Sequence, residues 1–133
     1  MPDKIDKLGW IYLKDKKILC TKSKGKDIYY MPGGKREAGE SDEQALLREI
    51  KEELSIDLIP NTLKFVEAFE AQAHAKPMGT MVKITCYTGD FKGKIKPASE
   101  IETASWLTYA DRDKIALTGQ LIFDYLKGKD LLG

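Results

Sequence analysis

The 133-residue sequence has little of what several protein classes require. It holds only two cysteines, Cys20 and Cys86, and they lie in apolar, strand-like stretches with no cysteine or histidine at metal spacing. That excludes a disulfide scaffold and a zinc module, and leaves two reduced core thiols. A single histidine, His74, leaves no histidine-rich metal site to consider. No run of apolar residues is long enough to span a bilayer, and the amino-terminal stretch lacks the apolar core of a signal peptide, so the cytoplasm is the expected compartment and no membrane partner is expected. With 22 basic against 21 acidic side chains the net charge is only +1, which gives no bulk attraction to nucleic acid. Any charged ligand must be gripped locally. A composition that is 42% hydrophobic and 32% charged is that of a folded chain, and the length suits one domain, residues 1–133.

The apolar runs IDKLGWIYL and KILCTK read as strands joined by a polar hairpin, and IYYM reads as a third strand that ends at Pro32-Gly33-Gly34. The period then changes. From Ser41, residues Leu47, Ile50 and Leu54 recur at helical spacing, with Ser41 and Gln44 forming a capping-box signature and Asp42 and Glu43 in the first turn. The stretches LKFVEAFEAQA, TMVKITCYTGDF and Thr103 to Leu107 read as further strands. A last helix is expected from about Asp111 to Leu126, with Ile115, Ile122, Phe123 and Leu126 as its apolar stripe. Strands, helix, strands, helix argue for an α/β (α+β) arrangement with a mixed sheet.

The chemistry concentrates around the first helix. Glu49, Glu52 and Glu53 fall at i, i+3 and i+4, so their carboxylates share one side of it. Like charges at this spacing cost an isolated helix about 0.2 to 0.5 kcal/mol per pair, and something positive should compensate. Interleaved Arg48 and Lys51 could do this on a solvated face. A hard divalent cation, which takes oxygen ligands and keeps places for water and phosphate, could do it in a cleft. Glycines at 33 and 34 open a loop where backbone can approach a ligand closely.

Counted from Gly34, the sequence gives five residues, Glu40, seven residues, then Arg48, Glu49, Ile50, one residue, Glu52, Glu53, one residue, Ser55 and Ile56. This closely resembles the Nudix box, residues 34–56, of the Nudix hydrolases. Six named residues at fixed spacing would coincide by chance with a probability on the order of 10⁻⁷. The one departure is Ser55, where the box has a glycine. Glycine there takes the left-handed conformation that ends a helix; if Ser55 keeps that conformation, restoring glycine should stabilise by roughly 1 kcal/mol, and if Ser55 stays right-handed, glycine should destabilise.

The resemblance implies the Nudix α/β/α sandwich, with a mixed central sheet and helices on both faces. It implies Mg²⁺- or Mn²⁺-dependent hydrolysis of a pyrophosphate bond in a nucleoside diphosphate derivative. The short chain favours a MutT-like nucleoside triphosphate pyrophosphohydrolase, with 8-oxo-dGTP as one candidate substrate. Nucleotide sugars, ADP-ribose, dinucleoside polyphosphates and capped RNA ends are the alternatives within the family, and a non-catalytic nucleotide-binding module is the alternative outside it. Carried over by position, Glu52 and Glu53 are expected as metal ligands, with Glu49 as ligand or general base, a carbonyl of Gly33 or Gly34 as a further ligand, Glu40 supporting the metal shell and Arg48 orienting the carboxylates. Glu100 or Glu102 is expected to add an acid from outside the box, with Glu100 preferred. Lys22, Lys35 and Arg36 are candidates for phosphate. Tyr29 or Tyr30, Phe69, His74 and Gln120 are candidates for the nucleoside. The expected partner is a small nucleoside phosphate, with the protein a monomer or homodimer.

Overall fold

The computed structural model describes residues 4–133. Strand β1 (Lys4–Trp10) lies at the centre of a four-stranded mixed sheet, flanked by β4 (Gly33–Lys35) and by β7 (Met81–Thr88), with β6 (Lys64–Gln72) at the far edge. It runs antiparallel to β4 and parallel to β7, while β6 and β7 are antiparallel. A second sheet, β2 (Leu13–Lys14), β3 (Lys17–Ser23) and β9 (Ile101–Leu107), is wholly antiparallel, and β5 (Asp57–Leu58) pairs with β8 (Phe91–Lys92).

Strand alternation divides the apolar side chains between two cores. Leu8 and Trp10 of β1 and Leu19 of β3 turn to one side, where helix α1 (Asp42–Leu54) covers them with Ala45, Leu46, Ile50 and Leu54. Ile84 and Cys86 of β7 and Ile18 and Cys20 of β3 face the other side, under Ile122, Phe123 and Leu126 of helix α2 (Leu117–Gly128). The result is a mixed sheet layer with a helix on each face, as the resemblance implied. Both thiols are fully buried, and burial raises both above the ordinary thiol range, Cys86 to about 12.

Helix α1 begins where its caps require. Ser41 Oγ accepts from the Gln44 amide at 3.1 Å, and the Gln44 carboxamide oxygen accepts from the Ser41 amide at 2.9 Å. Its anchoring face is set by Leu46, which is fully buried, whereas Leu47 packs only at the margin of the core. At the other end Ser55 takes the left-handed conformation, φ 63° and ψ 23°.

Two expected elements differ. Tyr29 and Tyr30 do not form a strand; each makes a single bridge, Tyr30 to Thr21 and Tyr29 to Ile115, and the strand comes after them, at Gly33–Lys35. The last helix begins later than its apolar stripe suggests. Residues Tyr109–Lys114 form a 3-10 turn closed by reciprocal Thr108 and Asp111 bonds. The chain then straightens at Ile115 to pair with Tyr29, and α2 starts only at Leu117. Trp106 is 39% exposed because it sits on edge strand β9, against Tyr12; Trp10 is fully buried and donates through Nε1 to the Gly89 carbonyl.

Candidate active site

A cleft of about 450 Å³ opens between the carboxy-terminal half of α1, strands β1 and β4, the segment 72–76 and the start of α2. Its floor depends on two glycines. At Gly33, φ is +137° and a side chain would run into the Leu8 carbonyl of the neighbouring strand; at Gly34 it would run into the Glu49 carboxylate. Only glycine at 33 lets β4 lie this close to β1, while at 34 a side chain would displace the Glu49 carboxylate.

On α1, Glu49 and Glu53 are one turn apart and both line the cleft. Glu53 is 6% exposed, and its carboxylate accepts one bond from the Gly33 amide at 2.9 Å. Burial pushes its carboxyl up to about 8; the Gly33 bond opposes this, while Glu49 and Glu100 add to it. Glu49 is also raised, mainly by burial and against the pull of Arg48. Glu52 looks outward, with half of its side chain exposed, and reaches the Arg48 guanidinium only at 3.5 Å.

Arg48 holds the loop and helix in register. Its Nε and Nη2 grip both Glu40 carboxylate oxygens at 2.7 and 2.8 Å, Nη1 meets Glu49 at 2.7 Å, and Nη2 also donates to the Lys35 carbonyl at 3.1 Å. This planar fork, together with the Glu37 amide, holds Glu40 down at about 2. Glu40 itself does not line the cleft.

The expected residues divide by place. Tyr30, Gly33, Gly34, Lys35, Glu49, Glu53 and Glu100 all line the cleft, as does His74, whose ring stands edge-on to Tyr30 at 6.1 Å. Of the two outside acids, Glu100 lines it and Glu102 does not. The Glu100 segment is tied to the end of α1, because the Ala98 amide donates to the Glu53 carbonyl at 2.9 Å.

Four candidates for substrate are engaged elsewhere. Lys22 lies over the Tyr29 ring on the far side of β3, and Tyr29 bonds Ser105. Arg36 is drawn to Asp6 and Asp42 and fastens the first turn of α1 to β1. Phe69 packs edge-on against Tyr125 in the α2 core, and Gln120 donates back to the Ile115 carbonyl. For Lys22, Phe69 and Gln120 the period of the strand or helix turns the side chain away from the cleft, while Arg36, just past β4, is held by its two ion pairs.

Sequence reasoning missed three lysines that also line the cleft, Lys7, Lys26 and Lys76. Lys7 carried a signal: it is a charged residue on the inward side of a strand, between Ile5 and Gly9, where the alternation calls for an apolar one. Its ammonium lies 5.6 Å from the Tyr30 ring centre, and burial lowers its pKa against the pull of Glu53 and Glu49.

The donors facing the cleft are hard oxygens, the right chemistry for Mg²⁺ or Mn²⁺. Glu49 and Glu53, with the backbone of the glycine pair, could hold such an ion, and buried carboxylates of raised pKa are those a cation would relieve. As they stand, no three acidic, histidine or cysteine side chains among the described residues gather closely enough to enclose an ion. Glu49 in particular would have to loosen from Arg48.

Comparison with known proteins places this geometry in context. The NUDIX domain family profile matches residues 8–122. The chain is similar to an ADP-ribose pyrophosphatase of Methanocaldococcus jannaschii, at 31% identity over 121 residues, covering 88% of this chain and 70% of that protein. Its fold is similar to a MutT NUDIX hydrolase from Burkholderia pseudomallei, with TM-score 0.74 and 22% identity over 92% of this chain and 97% of that one. It is also similar to a MutT protein from Methanosarcina mazei, with TM-score 0.76 and 15% identity over 97% and 96% of the two chains. The profile runs from the middle of β1 into α2 and takes in the glycine floor and the whole acidic helix, and on that ground the chain belongs to the Nudix hydrolase family.

Proposed function

We propose that the protein is a Mg²⁺-dependent, MutT-like nucleoside triphosphate pyrophosphohydrolase. Nudix hydrolases cleave pyrophosphate bonds and generally need a divalent cation; the proposal adds the cation's ligands and the substrate. Glu49 and Glu53, with a carbonyl of Gly33 or Gly34, would hold the ion, and Glu52, half exposed on the outer side of the helix, would join them by swinging in from solvent. When bound, it would neutralise the diphosphate and acidify a water. Arg48 and Glu40 would keep the carboxylates in position, Glu100 would supply the acid from outside the box, and Tyr30 would meet the nucleoside.

The observation that carries the triphosphate reading is the charge around the cleft. Lys7, Lys26, Lys35 and Lys76 line it in a chain whose net charge is only +1. Such a concentration of cations suits a polyanion better than a diphosphate ending in a neutral sugar. The second reading, ADP-ribose hydrolysis, is favoured by the M. jannaschii relative. The two give different products: pyrophosphate and a nucleoside monophosphate from a triphosphate, AMP and ribose phosphate from ADP-ribose. Purified protein should be incubated with Mg²⁺ and a panel of triphosphates including 8-oxo-dGTP, together with ADP-ribose and nucleotide sugars. The proposal requires the highest kcat/KM on a triphosphate, and a clear preference for ADP-ribose would replace it. The proposed setting is the cytoplasm, as a monomer or homodimer; among the described residues no helix is long and apolar enough to cross a membrane.

A further inference from the structure

The connection from β6 to β7, residues 73–80, is longer than a tight hairpin turn. Its backbone closes on itself through the Ala73 amide, which donates to the Thr80 carbonyl at 2.8 Å, and the Thr80 amide, which donates to the Pro77 carbonyl at 3.0 Å. Gln72, the last residue of β6, supplies more than this. Its Nε2 donates to the Pro77 carbonyl at 2.9 Å and, at 3.3 and 3.4 Å, to those of Ala73 and Lys76, while its Oε1 accepts from the Gly79 amide at 2.8 Å. The carboxamide thus stands inside the loop as a neighbouring peptide group would. The shape it holds is a demanding one, because Ala75 lies at φ +57°, in the left-handed region that a Cβ disfavours. Such a residue keeps its conformation only where the surroundings over-determine it.

The loop carries His74 to the cleft, with its ring edge-on to Tyr30 at 6.1 Å between centres. Tyr30 and His74 are the two ring-bearing side chains among the lining residues, and a nucleobase stacks on a flat ring of this kind. His74 is itself exposed, so the shape of the loop is what keeps its ring there. Gln72 lines the cleft too, but both hydrogens of its amide face loop carbonyls and none is left for a ligand.

We propose that Gln72 is a positioning residue for the nucleoside side of the cleft: it holds the loop in the shape that sets His74 against Tyr30, and so governs substrate affinity rather than turnover. The consequence for the substrate rests on the hydrolase reading; the placement of His74 does not.

The test begins with NMR. Because His74 is the only histidine of the chain, its imidazole protons give one unambiguous set of signals. Wild type should show cross-relaxation between them and the Tyr30 ring protons. Gln72→Leu, with nothing to donate or accept, should abolish it and speed amide exchange in the loop. With Mg²⁺ and the nucleoside triphosphate that wild type turns over best, Gln72→Leu should raise KM about tenfold and leave kcat within about threefold, the pattern of lost binding rather than lost chemistry. His74→Ala, at an exposed position, should raise KM by a similar factor, so a folding defect at Gln72 would not shield the proposal. The double variant should exceed the weaker single variant by no more than about twofold, since Gln72 acts through His74. A cross-peak that survives Gln72→Leu, an unchanged KM in either single variant, or fully additive effects would overturn the proposal. Loss of the cross-peak in a protein that hydrolyses no nucleotide would leave the loop assignment standing and remove the hydrolase reading; normal nucleotide hydrolysis with an intact cross-peak in Gln72→Leu would do the reverse.

Discussion

Ser55 offers the most quantitative test of the local structure, because two substitutions there separate two effects. The residue ends α1 in the left-handed region, at φ 63° and ψ 23°, where a Cβ costs about 1 to 2 kcal/mol. Its amide still bonds the Lys51 carbonyl at 3.1 Å, and its hydroxyl donates to the Lys96 carbonyl at 2.9 Å, tying the helix end to the segment that leads to Glu100. Ser55→Ala keeps the strained Cβ and loses the hydroxyl bond, which at an exposed position is worth about 0.5 kcal/mol. Ser55→Gly loses the same bond and sheds the strain, but gives the unfolded chain about 0.4 to 1 kcal/mol more freedom to lose on folding. Glycine should therefore exceed alanine by about 0.5 to 1 kcal/mol and stand within about 0.5 kcal/mol of the wild type. The gain of roughly 1 kcal/mol expected from the sequence shrinks because serine has found a partner there. Urea titrations of the three proteins, compared at a common m value, read these differences directly. If alanine proved as stable as glycine, the left-handed helix end would be refuted.

Three other outcomes follow from the site. In divalent-free buffer, Glu53 binds a proton more readily folded, at about 8, than unfolded, at 4.5, so stability should fall as pH rises between those values, by on the order of a few kcal/mol. Glu53→Gln should flatten that slope in a series of urea titrations, and an unchanged slope would refute the assignment. Gly34→Ala would push a methyl group against the Glu49 carboxylate, the far end of a flexible side chain that can swing aside; thermal unfolding should change by less than about 1 kcal/mol while kcat drops by about tenfold or more as Glu49 is displaced. Arg48→Lys cannot reproduce the fork that holds Glu40, Glu49 and the Lys35 carbonyl together, so kcat should fall by about tenfold with the helix still folded by circular dichroism.

The acidic helix was legible because every signal for it is local: the Ser41–Gln44 caps, the apolar period and the carboxylate spacing all act within one turn or two. The helix face was less so, since Leu46 and Leu47 are equally apolar and only packing against Trp10 and Leu19 selects Leu46. The misplaced strand at Tyr29–Tyr30 and the late start of α2 share one cause: the bonds that decide both run between residues more than 80 positions apart, Tyr29 with Lys114 and Ala116. Local propensity carries no record of such pairing. The same limit explains the site lists. Lys22, Phe69 and Gln120 have suitable chemistry for a ligand, but the registers of β3 and β6 and the onset of α2 turn them elsewhere. Lys7 was overlooked among many lysines, although its inward strand position was already visible.

The central claim is that Glu53, buried at the cleft floor against Gly33, binds the cation on which turnover depends. It is tested most directly by single-turnover nucleotide hydrolysis over a Mg²⁺ titration, with wild type and Glu53→Gln compared after both are shown to unfold cooperatively. The account predicts that wild type is silent in EDTA and active with Mg²⁺, and that Glu53→Gln falls by about a hundredfold or more across the whole titration. Full hydrolysis in EDTA, or normal turnover by Glu53→Gln, would contradict it.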